Sequence, residues 1–176
     1  MTTEQIDSEH WRLTFPEHEA AFIVNVLARL GRQYQEDPKQ MSPALRAFWD
    51  GSITKGTAAN PKELGELADA QQLLVEARTE LRSQRLSLVE NWIQEFELAE
   101  SRDPWQVEVS NTERDELVAM LNDRRLLLAF TIGVTETDME KDPSQISDEA
   151  RRHTILEIDV LGHFILVMLG PQIHRP

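Results

Sequence analysis

From Asn60 to Ser101 the chain contains almost nothing that would break a helix: Gly65 is its single glycine, and no proline intervenes between Pro61 and Pro104. Asn60-Pro61 opens the stretch with a capping residue followed by a proline whose fixed φ suits a first helical turn. The reading is one helix of ~40 residues or two joined at a kink, against a usual helix of ~11–12. Leu67, Leu74, Leu81 and Leu88 recur every seven residues, but the companion positions Gln71, Arg78 and Arg85 are polar. A self-pairing coil wants both rows apolar, so a bundle helix is the better expectation. The rest of the chain must then pack around this rod.

Two similar units flank it. Trp11 to Phe15 (WRLTF) and Trp105 to Val109 (WQVEV) alternate in polarity as half-buried strands do, and each leads into a helix. Pro16 suits the first turn of a helix from Glu17 that carries Ile23, Leu27 and Leu30; Gly31 is a candidate stop, with Tyr34 extending the pattern past it. The second helix starts at a capping box, either Ser110 with Glu113 or Thr112 with the shorter Asp115. Placing Trp105 over Trp11 brings Glu113 over Glu19, Val118 over Val24 and Leu121 over Leu27. This echo predicts that the two strands pair and that their helices pack beneath them.

Ser42-Pro43 opens a short helix through Leu45, Phe48 and Trp49. Ser147 is expected to cap a last helix whose apolar residues, Ile155 to Leu169, surround its axis, so that it lies centrally or under a partner. Residues 1–10 are expected to fray, and 50–60 and 135–147 to be flexible loops. The fold class that follows is mainly α in a single domain, 1–176. It is a multi-helix bundle with a long central hairpin-like helical insert and a small two-stranded β ribbon, Trp11 to Phe15 with Trp105 to Val109.

A chain of 176 residues can bury one sizeable core. Its net charge of −13 repels nucleic-acid backbones and anionic membrane surfaces, so neither is an expected partner. The absence of cysteine excludes disulfides, thiolate catalysis and cysteine–zinc sites. The start, MTTEQIDSEH, lacks the apolar core of a signal peptide, and the longest apolar run, Phe164 to Leu169, is short of the ~20 residues of a spanning helix. A cytoplasmic location is expected.

Chemical motifs are incomplete. Gly51-x4-Gly56-Thr57 resembles a phosphate loop without its lysine. Asp138, Glu140, Asp142 and Glu149 occupy calcium-loop positions, but Pro143 stands where the turn demands glycine. In the last helix, His153 with Glu157 and Asp159 with His163 are i, i+4 pairs on separate faces, so no metal or cofactor site is expected. Arg78, Arg82 and Arg85 share one helix face; a solvated or salt-bridged surface is expected there, with an anion or partner patch as the alternative. Asn122-Asp123-Arg124-Arg125 lies among leucines, and a buried charge needs a partner. Arg125 is expected to pair near Asp123 with Glu157 or Asp159 of the last helix.

Leu-Asn-Asp-Arg-Arg-Leu (121 to 126), Ile-Gly-Val-Thr-Glu (132 to 136), an acidic loop, Asp159-x-Leu161-Gly162 in a final apolar helix and an early Glu19-Ala20-Ala21 helix form a recognisable set. In these the chain resembles a bacterial domain-of-unknown-function family, mainly actinobacterial and often encoded beside the ClpS protease adaptor. The likeness covers roughly the last third of the chain and its first thirty residues. It implies a mainly helical fold and a regulatory or adaptor role, with no catalytic residues to carry over. The functional expectation is a non-enzymatic regulatory or protein-interaction module with a protein partner or a second copy of itself. The alternative is a protein that binds or acts on a small anionic ligand through Asp123, Arg125, Glu157 and His163.

Overall fold

The computed structural model describes residues 1–37, 39–50, 61–99, 104–135, 137–138 and 142–170. Strands β1 (Thr2–Gln5), β2 (His10–Phe15) and β3 (Trp105–Ser110) form an antiparallel sheet in the order β1-β2-β3. The expected pairing is present, with Trp11 opposite Val109, Leu13 opposite Val107 and Phe15 opposite Trp105. Leu13, Phe15, Val107 and Val109 face the core and are almost fully buried. On the outer face Arg12 stands between Glu4 and Glu108, its partners across the two neighbouring strands, and donates to Glu108 at 2.7 Å. A sheet covered on one side has this alternation.

The first ten residues do not fray. They form β1 and a tight turn in which the Asp7 carboxylate accepts backbone N–H groups from Glu9 (2.7 Å) and His10 (2.8 Å). Thr-Thr-Glu-Gln has no apolar alternation because it is an edge strand held by backbone bonding, so hydrophobic periodicity missed it. The expected two-stranded ribbon is therefore three-stranded. Asn111, the first residue of the helix after β3, ties this hairpin down. Its backbone N–H reaches the Glu9 carbonyl at 2.8 Å, and its side chain bonds the Ser8 carbonyl at 3.1 Å and the Trp11 indole at 2.7 Å.

Among the described residues the helices are α1 (Glu17–Gln35), α2 (Pro43–Asp50), α3 (Pro61–Ala99), α4 (Asn111–Ile132) and α5 (Glu149–Leu169), with a 3-10 turn at Pro143–Gln145. The protein is mainly α with a small sheet. The helix-permissive stretch is one continuous helix, α3, preceded by the short α2. Its first half buries no described side chain; its second half contributes Val89, Trp92 and Phe96 to the core. Gly31 does not end α1. A Cβ there would lie 3.2 Å from Val89, so the glycine lets α1 and α3 cross closely. At the start of α4, Ser110 and Glu113 make the full capping box. The cap of α5 is Asp148, one residue after the expected Ser147. The phosphate-loop-like segment, residues 51–60 of the first expected loop, and Glu140 lie outside the described residues.

Helix α5 is not buried on most sides. Ile155, Ile158, Leu161, Phe164 and Met168 pack into the core, while Leu156, Val160, Leu166 and Leu169 face outward. A stripe of six-residue apolar sequence near its end hides this asymmetry, because both faces of that segment are apolar.

Candidate functional site

The three arginines of α3 form no solvated face and no exposed anion patch: Arg85 is salt-bridged, as one expectation had it, but inside the molecule, and Arg78 and Arg82 bond backbone carbonyls. Arg78 donates to the carbonyls of Phe48 (3.4 Å) and Trp49 (2.5 Å), at the end of α2. Arg82, 6% exposed, spans the end of α1 through the carbonyls of Gln33 (3.3 Å), Tyr34 (2.9 Å) and Glu36 (2.5 Å), and stacks over Trp49. The last carbonyls of a helix lack intrahelical donors and carry its negative dipole end, which a guanidinium satisfies in both respects. Arg85 forms an ion pair with Asp123 of α4, whose carboxylate also accepts the Tyr34 hydroxyl at 3.2 Å. Burial pushes the Tyr34 phenol up, so it stays neutral and remains a donor to that carboxylate.

Asp123 therefore belongs to α3, not to its sequence neighbours. The expected Arg125 pair is also redirected. Arg124, 7% exposed, donates to Glu157 of α5 at 2.8 Å, and Glu157 accepts Arg29 of α1 at 3.2 Å. Successive helical residues differ by about 100° around the axis, and the phase that brings Arg124 inward turns Arg125 to the rim. There Arg125 lies across Gly162 of α5, its guanidinium carbon 3.9 Å from where a Cβ would stand. Asn122 is half-buried on the same helix. One carboxylate thus locks α1, α4 and α5 together.

Asp159 and His163 stay outside. They are exposed on α5 and, with Val160 and Phe164, line one wall of a groove of about 540 Å³ whose other wall is His18, Glu19 and Phe22 of α1. The groove is mostly apolar, its floor closed by Phe22 against Phe164 with ring centroids 5.8 Å apart. The seven candidates from α4 and α5 consequently divide among separate places: Asn122 half-buried on α4, Asp123 with α3, Arg124 and Glu157 between helices, Arg125 at the rim, Asp159 and His163 in the groove. Among the described residues no group of three or more His, Asp or Glu is placed to hold a metal ion. No described helix is long and apolar enough to cross a membrane.

Compared with protein-family models, curated proteins and solved structures, the chain finds no match.

Several participants had no sequence signal of their own. Tyr34 and Arg29 look like ordinary residues of an amphipathic helix, and Arg151 like a first-turn surface residue. Arg151 in fact closes the end of α4, donating to the carbonyls of Ile132 (2.8 Å) and Gly133 (3.3 Å) and to Asp138 (2.7 Å). His18 and Phe22, at i, i+4, were the readable hint of a second groove wall.

Proposed function

We propose that the protein is a non-catalytic, adaptor-like regulatory or interaction module of the cytoplasm, and that its working surface is the outer face of α5. The observation that carries this reading is the contrast between its charges and its exposed apolar residues. Its buried arginines are committed to helix ends and to carboxylates, whereas Leu156, Val160, Leu166 and Leu169 of one helix remain exposed, Leu166 by 70%. An exposed apolar stripe beside polar residues is what a protein-binding face offers. The resemblance carried by residues 121–126 and 132–136 agrees with such a role. Catalysis on an anionic ligand by Asp123, Arg125, Glu157 and His163 has no comparable support, because these groups do not converge.

The test is affinity capture from the native host with mass spectrometry, comparing the wild-type chain with Leu166→Glu. Wild type is expected to recover a stoichiometric protein partner, or copies of itself, which Leu166→Glu loses while keeping the wild-type unfolding midpoint. Equal recovery by both chains, or none by either, contradicts the proposal.

A further inference from the structure

The outer face of α5 has a pattern that goes beyond being apolar. Leu156, Asp159, His163 and Leu166 are all exposed and follow one another at spacings of 3, 4 and 3 residues. That is the seam spacing of two helices packed along their length. Two such helices side by side in parallel would set Asp159 against Asp159 and His163 against His163. Antiparallel packing, with the two-fold axis level with residue 161, sets position 156 against 166 and position 159 against 163. Leucine then meets leucine at both ends of the seam. Between them, carboxylate meets imidazole twice.

We infer that this face is a two-fold interface whose occupant is a second copy of the same chain, with Leu156 packing on Leu166 and Asp159 pairing with His163 in both directions. The inference rests on the reading of α5 as the working surface and names its partner. A patch complementary to itself under two-fold rotation is what a closed, isologous dimer requires. The next position outward agrees. Arg152 of one copy falls opposite Gly170 of the other, the cap of α5, where no side chain intervenes. A guanidinium at the end of a neighbouring helix is the arrangement this protein already uses within the chain, through Arg78, Arg82 and Arg151. Val160, 37% exposed, flanks the seam. Its central polar layers fix direction and register, as polar seam residues do in helical pairs, at a cost in strength. A single pair of helices is smaller than the standard interface of about 1,600 Å², so the association is weak and concentration-dependent.

Sedimentation velocity over roughly 1 to 300 µM tests this. Wild type is expected to shift from monomer to dimer across that series. Asp159→Arg brings cation toward imidazole, and His163→Asp brings carboxylate toward carboxylate, so each variant alone is expected to dimerise at least about tenfold more weakly. Mixed in equal amounts they are complementary. The introduced arginine faces the introduced carboxylate, the native Asp159 faces the native His163, and a heterodimer is expected at concentrations where neither variant self-associates. Both substitutions are at exposed positions, and unchanged circular dichroism melting confirms the fold of each. A wild-type chain that stays monomeric throughout overturns the inference, as do variants that dimerise like wild type or a mixture that forms no heterodimer. A monomeric chain that still captures another protein through Leu166 overturns the self-pairing and leaves the wider reading standing; loss of both overturns both.

Discussion

Arginine side chains hold this molecule together at the ends of its helices. A helix leaves its last carbonyls without donors, and an acidic protein carries few cations with which to satisfy them. At Arg82 one terminal guanidinium nitrogen reaches three carbonyls at the end of α1, those of Gln33, Tyr34 and Glu36. Replacing it with methionine keeps most of the volume but strands those carbonyls, and Arg82→Met is expected to cost about 2–3 kcal/mol in urea denaturation. The Arg85–Asp123 pair has a sharper signature. Asp123→Asn leaves a buried cation without its counter-charge and is expected to cost about 3–5 kcal/mol, whereas Arg85→Met combined with Asp123→Leu should cost less than Asp123→Asn alone. The same chemistry separates neighbours: Arg124→Met is expected to destabilise strongly, and Arg125→Met by less than about 1 kcal/mol. The sequence showed that a charge among leucines needs a partner. It could not set the helical phase, which depends on tertiary packing and assigns the buried place to Arg124.

The elements themselves were largely legible where local chemistry decides them. A stretch without breakers became α3, the echo of Trp11 at Trp105 became the β2–β3 pair, and the Ser110–Glu113 box starts α4. Elements stabilised from outside were not: β1 is recruited by β2, and the true depth of α5 depends on how α1 and α4 flank it. The two ends of α4 carry a further prediction. The backbone N–H and hydroxyl of Ser110 hold Glu113 below its ordinary carboxylate value. The Thr135 hydroxyl, then its backbone N–H, then Arg151 hold Asp138 lower still. Both groups are thus stabilised in their ionised form by folding, and their contribution is complete above the ordinary carboxylate range near 4. It is lost as pH falls through their lowered folded values. The thermal midpoint is therefore expected to drop as pH is taken below about 4, and Asp138→Asn should lower the midpoint at neutral pH while flattening that decline. Equal pH slopes for wild type and variant would exclude the Asp138–Arg151 closure as a contributor.

At the scale of the whole molecule, two surfaces competed in the sequence for the role of contact face: the leucine row of α3 and the last helix. The structure distributes them differently. Val89, Trp92 and Phe96 take the second half of α3 into the core while Leu67, Leu74, Leu81 and Leu88 stay half-buried, and Arg78, Arg82 and Arg85 turn what reads as a charged patch into internal fastening. The outward face of α5 carries Leu156, Asp159, His163 and Leu166 in order, leucine at each end with a carboxylate and an imidazole between, a self-complementary arrangement. No run of sequence announces that, because it emerges only when α1 and α4 have claimed the opposite side of the helix. The candidate site was therefore half visible: its residues could be named, but their division between scaffold and surface could not.

The chain has no cysteine, so single thiols report on chosen surfaces without background. Leu166→Cys on α5 and Leu73→Cys on α3 start from similar exposures, 70% and 66%. The decisive measurement is the rate of thiol labelling of each variant, dilute and then at high concentration or in native-host lysate. If α5 is the working face, labelling at position 166 slows under the second conditions while labelling at 73 does not. Equal rates at both positions, or protection at 73 alone, would contradict the account.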